Sequence, residues 1–264
     1  MAFIEKNENG LVYMVSTVIP ARHAFTTRFG GVSRGSLASL NLGSNRGDEP
    51  EAVRENYRRV AALMGAEIDG CAVTKQVHGN EVRLVTEADR HVCLSPVPYE
   101  ADGLVTAARG LPIFCFTADC VPVLLCDGEH RAAAAVHCGW RSSVADILGV
   151  AVAKMRSLGA RPENICAALG PAIGRCCFET DGDVPEAVSR YLGGDTEGLF
   201  APKEGGKFLV DLRAANARRL TQLGLLPENI DVSEECTVCS HDKYWSHRYT
   251  HGDRGSQGAV IVLE

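Results

Sequence analysis

The sequence has no excess of basic residues: 27 lysines and arginines stand against 33 aspartates and glutamates, for a net charge of −6. A nucleic-acid binder ordinarily turns a basic face to phosphate, so that function class is disfavoured. Apolar runs stop well short of the ~20 residues that a membrane-spanning helix needs. The opening stretch, MAFIEKNENGLVYMV, lacks the basic segment, apolar core and small-residue cleavage site of a secretory signal. There is no repeat, no low-complexity tract and no long linker. Neither GxxxxGK[ST] nor GxGxxG occurs, which disfavours ATP and dinucleotide cofactors.

What is present is an ordinary globular composition, 45% hydrophobic and 23% charged over 264 residues, enough to bury a full core. Eleven cysteines, an odd count, include Cys115, Cys126 and Cys166 inside apolar runs, where a free thiol behaves as a small hydrophobe. This usage points to reduced thiols and a cytoplasmic location rather than to disulfides.

Strand signals run over 11–18, 71–77, 81–86, 111–117, 121–127, 132–137, 164–169 and 258–264. Between 143 and 158, Val144, Ile147, Leu148, Ala151, Val152, Met155 and Leu158 keep a helical rhythm. Ser142 or Ser143 is placed to cap its start, and Gly159 and Pro162 punctuate its end. Further helices are expected over 50–64, 184–192 and 212–223. Interleaved strands and helices predict an α/β or mixed α+β class, and strands apolar on both faces predict covered sheets. We read residues 1–264 as a single domain.

Three apolar runs are interrupted by chemistry. TKQVHGNEV carries His78, TADCVPVLL carries Asp119 and Cys120, and AAAAVHCGWRSSV carries His137 at the end of four alanines and a valine. Rigid strand ends are where a sheet exposes functional groups. His78, Cys120 and His137 form a candidate metal set, because a catalytic zinc takes three N or S ligands and keeps one position open. Against this stands a Cys120–His137 thiolate–imidazole pair oriented by Asp119 or another carboxylate, as in cysteine hydrolases. The two readings exclude each other at the Cys120 sulfur. Taken singly, each residue is more simply a satisfied structural His or a core Cys.

Near the end, CTVCSH (236–241) offers a CxxC with His247 and His251 nearby, but no second CxxC completes a zinc site. The vicinal Cys176–Cys177 pair reads as part of a turn after GPAIGR, since adjacent cysteines chelate poorly through both sulfurs. TRFGGVSRG and LGPAIG are loops able to bring backbone N–H groups to an anion. Arg28, Arg141 and Arg248, each beside glycine or an aromatic residue, are candidates to hold a phosphate or carboxylate.

Read in order, TTRFGGVSRG, SLNLG, DEPEAVRENYRR, KQVHGNEV, ADGLVT, TADCVPVLL, AAVHCGWRS, LGPAIGRCCFE, VDLRAANARRL and CTVCSHDKYWSHR resemble the laccase-domain (YfiH-type) family, also called polyphenol oxidase or peptidoglycan editing factor. The resemblance covers nearly the whole chain, and ADCVPV with VHCGWR is its most specific part. It implies a single domain of layered mixed sheets flanked by helices. It also implies one zinc held by a His, a Cys and a second His, which here are His78, Cys120 and His137. The implied activity is phosphorolysis of adenosine, inosine, guanosine or methylthioadenosine, with adenosine deamination. Removal of misincorporated amino acids from peptidoglycan precursors is the alternative, and a non-enzymatic accessory role the third.

On that reading Asp119 or Glu179 would move protons, and Arg28, Arg141 and Arg248 would hold phosphate. A multicopper oxidase fits poorly, because its copper centres are histidine-rich and this chain has eight histidines with no His-x-His pair. Copper in a zinc-type site remains chemically open. The chain departs from the family at VHCGWRS, where VHAGWRG is usual, at YWSHRY for FFSYRR, and at HGDRGSQG around the usual TGR. These departures bear on substrate preference more than on fold.

Overall fold

The computed structural model describes residues 2–264. In chain order its strands begin with β1 (Phe3–Glu8), β2 (Leu11–Ser16), β3 (Arg22–Thr26), β4 (Val82–Val85), β5 (Gly103–Thr106), β6 (Ile113–Thr117) and β7 (Val121–Asp127). They continue with β8 (Ala133–Cys138), β9 (Ile165–Leu169), β10 (Glu179–Thr180), β11 (Phe200–Pro202), β12 (Phe208–Val210), β13 (Ile230–Val232) and β14 (Gln257–Val262). The α-helices are α1 (Pro50–Leu63), α2 (Trp140–Val144), α3 (Ile147–Ser157), α4 (Asp183–Tyr191), α5 (Leu212–Gln222) and α6 (His247–Thr250).

An antiparallel sheet in the order β1-β2-β3-β14-β6 lies against a mixed sheet in the order β13-β9-β7-β8-β5-β4, and β10-β12-β11 form a small third sheet. The layered mixed α/β class read from the sequence is the class observed. Side-chain alternation assigns the faces. On β8, Ala133 and Ala135 join Phe25, Ile113, Cys115 and Ile261 in the core between the two large sheets. Ala134, Val136 and Cys138 turn the other way, to Ile147, Leu148, Ala151 and Val152 of α3. Beyond the first sheet, Tyr13, Ala24, Phe114 and Val260 pack on Val60, Ala61 and Met64 at the end of α1. Apolar residues on both faces of both sheets explain why the central strands read as continuous runs rather than as alternations. Truncating one fully buried member such as Leu124 to alanine is expected to cost about 2–5 kcal/mol.

The sequence reading needs four corrections. Residues 71–77 do not form a strand: Ala72, Cys71 and Lys75 make isolated bridges to Ile113, His91 and Glu100, so the segment threads between neighbours without a continuous partner. The helix expected over 143–158 breaks in two at Asp146, which sits at φ 62° and caps α3 by accepting from Gly149 N. Neither Ser142 nor Ser143 caps it. Both are buried inside α2, whose N-cap is Gly139. Strands β1, β3, β5 and β10–β13 were not anticipated, because most of them are short or edge segments without a long apolar run. Among the described residues, no helix is long and apolar enough to cross a membrane.

Candidate metal centre and active-site pocket

The alternation that fills the core also aims the donors. His137 shares the parity of Ala133 and Ala135, so its ring leaves β8 on the inter-sheet face near the strand's end. Extending β7 backwards from Leu124 and Pro122 by the same step reaches Cys120, one residue before the strand begins. The opening run AAAAVHC is therefore a core strand whose penultimate residue emerges where the two sheets part. His78 arrives from the loop 74–81 in a left-handed conformation, φ 61°, a backbone state uncommon for a residue with a Cβ and found often at functional sites.

One residue that the sequence reading quoted but gave no role ties the three together. Asp102, fully buried just ahead of β5, accepts hydrogen bonds from the backbone N–H groups of Val77, His78 and Gly79 at 3.1, 2.9 and 2.8 Å. It also accepts from His137 Nδ1 at 2.8 Å, while its carbonyl accepts from His137 N at 2.7 Å. The ring proton is thereby held on Nδ1 and Nε2 is left free to ligate, the usual carboxylate support of a metal-binding histidine. Burial by itself would raise the Asp102 carboxyl, but the hydrogen bonds from His137, Gly79 and Val77 outweigh it and hold the group below the ordinary carboxylate value. The sequence signal was an aspartate locked between Ala101 and a fully buried strand.

The donor atoms of His78, Cys120 and His137 lie within 4.8 Å of one another, with the two imidazole rings 4.9 Å apart and nearly perpendicular. Burial opposes charge on both Cys120 and His137, yet His137 and then His78 bring the Cys120 thiol down to about 6, while Cys120 and then Asp102 raise His137 to about 9. Without an ion the pair rests as thiolate and imidazolium, and a metal would take the place of the Nε2 proton. Gly139 keeps the centre of the triad open. A Cβ there would lie 3.1 Å from His78 Cδ2 and 3.3 Å from Cys120 Sγ. Two imidazoles and one thiolate around that gap fit a zinc-type ion with an open position.

The triad lines a cavity of about 920 Å³, within the size range of small-molecule sites. Its walls also include Tyr57, Phe116, Trp140 and Phe178, together with Arg46, His247, Arg248 and an Arg254 close enough to feel the Cys120 sulfur. Arg254 donates to Gly255 O and Ser256 Oγ, while its Nε is buried without a partner. Burial, then the nearby Arg46, lowers its guanidinium to about 10. Burial and the field of Arg254 likewise lower His247. Cations crowded together in a pocket, one with an unused buried donor, mark an anion site.

The residues proposed from sequence divide. Asp119 and Arg248 line the cavity. Asp119, at φ 91°, accepts from Thr237 Oγ1 and from Arg248 N, each at 2.6 Å. The Arg248 guanidinium donates to Cys177 O and Glu179 O. Three others do not reach the cavity. Arg28 donates to Ala38 O and His241 O and lies 4.0 Å over Trp245. Arg141 stacks 4.3 Å over Trp140 from an exposed position, and Glu179 pairs with Lys203. Glycine and aromatic neighbours in sequence signalled a cation–π contact at Arg28 and Arg141 rather than a phosphate cradle. Arg46, His247 and Arg254 were missed as pocket residues because they sit in loops and on a one-turn helix.

A layered α/β sandwich with a His–Cys–His donor set opening into a cation-lined pocket defines the class: a metal-competent enzyme scaffold. The chain belongs to the laccase-domain family, whose profile, described as multi-copper polyphenol oxidoreductase laccase, matches residues 22–264. It is 37% identical to a purine nucleoside phosphorylase of Corynebacterium glutamicum over 92% of this chain and 95% of that protein. It is 38% identical to a purine nucleoside phosphorylase of Deinococcus radiodurans over 96% of this chain and 94% of that one. The crystal structure of YlmD from Geobacillus stearothermophilus superposes with a TM-score of 0.93 at 30% identity, covering all of both chains.

Proposed function

We propose that the chain is a zinc-dependent purine nucleoside phosphorylase. It would act on adenosine, inosine, guanosine or methylthioadenosine, and would deaminate adenosine in the same pocket. The observation that carries this reading is the joining, in one cavity, of the His78–Cys120–His137 donor set to an anion site whose buried Arg254 Nε has no partner. The names carried by the relatives support it. His78, Cys120 and His137 would hold the ion, which when bound supplies Lewis acidity toward a substrate oxygen or nitrogen.

The chain's own residues supply the rest. Arg254, Arg46 and Arg248 hold inorganic phosphate so that one of its oxygens faces C1′ of the nucleoside. The new C–O bond forms as the glycosidic C–N bond breaks, and the purine leaves with the bonding pair. Arginines fixed before the reaction stabilise the phosphate without reorganising at that moment. Tyr57, Phe116 and Phe178 give the purine apolar faces and reduce the water around it. Asp119 holds Arg248 through its backbone N–H. As a carboxylate on the cavity wall, it is also the group placed to move the proton that deamination requires.

Incubation of metal-quantified protein with adenosine and phosphate, followed by product separation, tests the reading. Adenine with ribose 1-phosphate, and inosine beside them, are expected, and all are lost in His78→Ala. Protein that holds its metal yet converts neither adenosine nor inosine would overturn the assignment and turn attention to cell-wall precursors.

A further inference from the structure

Away from the cavity, the fold joins the two cysteine motifs that the sequence left separate. Cys176 and Cys177 follow β9 at the turn after LGPAIGR, and Cys236 and Cys239 begin the loop that leads to α6. All four sulfurs lie within 4.8 Å of one another. The Cys176 and Cys177 sulfurs stand 3.6 and 3.5 Å from that of Cys239. A single ion bonded to four sulfurs at ~2.3 Å sets them about 3.8 Å apart at tetrahedral angles, so these separations are those of a ligand shell that needs little adjustment. A disulfide would need sulfurs ~2.05 Å apart. The second half of the CxxC site is thus not another CxxC but the vicinal pair some sixty residues earlier, which against the expectation for adjacent cysteines turns both sulfurs to Cys239.

The surroundings are shaped for thiolates. Cys236 Sγ accepts from Gly174 N at 3.2 Å. Although burial opposes it, backbone N–H groups of Cys239, Gly174 and Val238 draw the Cys236 thiol below its ordinary value. The N–H groups two and three residues on, turned back to the first sulfur of a CxxC, leave its remaining lone pairs for a metal. Gly174 makes room, since a Cβ there would lie 3.1 Å from Cys176 Sγ and 3.1 Å from Cys236 Cβ.

We propose that Cys176, Cys177, Cys236 and Cys239 form a second, structural metal site that binds one zinc ion through four sulfurs. Soft thiolates in a closed tetrahedral set select zinc over hard cations. With no position left for water or substrate, the ion acts as a clip. It ties the 170–178 loop, which carries part of the cavity wall, to the 236–246 loop, which supports it. Phe178 lines the pocket, Arg248 is held by Cys177 O, and Thr237, next to Cys236, holds Asp119.

The test is metal stoichiometry of the full-length protein, purified reduced and without chelator from zinc-supplemented cells. Wild type is expected to carry two zinc ions per chain, Cys239→Ser one, His78→Ala one, and the double variant none. Cys239 is exposed, so its serine variant opens no cavity in the core. Cobalt substitution gives an independent reading on wild type, in which intense tetrathiolate bands should appear, survive His78→Ala and vanish in Cys239→Ser. Zinc lost in Cys239→Ser but not in His78→Ala would uphold this site while removing the metal from the catalytic reading. One zinc in wild type, kept by Cys239→Ser and lost by His78→Ala, would overturn the second site alone. A reduced wild-type chain with no tetrathiolate cobalt bands, or a chain found two hydrogens lighter with these cysteines paired, would overturn it as well.

Discussion

In one group of cavity residues the donors leave strand ends or an anchored loop, and one buried carboxylate gathers the backbone of residues 77–79 and the ring of His137. In the other group, Arg46, His247 and Arg254 sit in loops and on a one-turn helix, and Arg254 keeps a buried donor without a partner. In the first group Asp102 fixes the His137 ring and the His78 backbone, and the donor side chains line the cavity. The second group keeps like charges together and is relieved only when an anion arrives. On the proposed reading, the donor set with its ion and the cation-rich group would divide the work of holding a nucleoside from that of receiving phosphate.

The comparison breaks most sharply at Asp102. Asp102→Asn keeps the size of the side chain but loses the charge and one of the acceptor oxygens that serve four donors. Metal affinity should fall about 10- to 100-fold, the usual effect of removing a carboxylate behind a ligating histidine. Turnover should fall with it and be partly restored by excess zinc. Zinc retention against a graded chelator measures this, and unchanged retention would show that the loop orders the histidines without the carboxylate. In the other group, Arg254→Gln should leave zinc content intact. It should raise the KM for phosphate about 10-fold, equivalent to losing a charged hydrogen bond of ~1.5 kcal/mol, while the KM for nucleoside changes little. Equal loss on both substrates would mean that the arginine group does not discriminate between them.

This contrast also explains what could be read from the chain. Apolar runs are local, so AAAAVHC and ADCVPV showed buried strands with His137 and Cys120 at their ends, and with His78 of TKQVHGNEV these made a candidate set that the family resemblance favoured. Asp102 was visible as a residue but not as a partner, because its hydrogen bonds span 23–35 positions. Arg28 and Arg141 resembled anion holders because an arginine beside glycine or an aromatic looks the same whether it stacks or binds phosphate. The cysteines at 176–177 and 236–239 looked unrelated for the same reason as the arginine group: only the packing of two loops brings them together. The break at Asp146 went unseen because the apolar rhythm of 144–158 runs through it without a change of phase.

The finest probe of the cation-rich group is His247. Its imidazole lies below the ordinary value of 6.5, through burial first and then through the field of Arg254, with Asp119 opposing. In the folded chain it therefore takes its proton less readily than in the unfolded one. Stability is fully present above pH 6.5 and is lost as the pH falls from there through the depressed folded value. Removing one positive neighbour should raise that value, so in Arg254→Gln the His247 ring resonances should titrate at a higher pH than in wild type. Inorganic phosphate should act in the same direction on wild type, because an anion among the arginines stabilises the imidazolium, and the acid loss of stability should shrink with it. The shift is small beside the loss of a metal. A His247 titration unmoved by phosphate, in protein whose arginines are intact, would mean that the anion binds elsewhere and that the two groups do not divide the substrates as their construction implies.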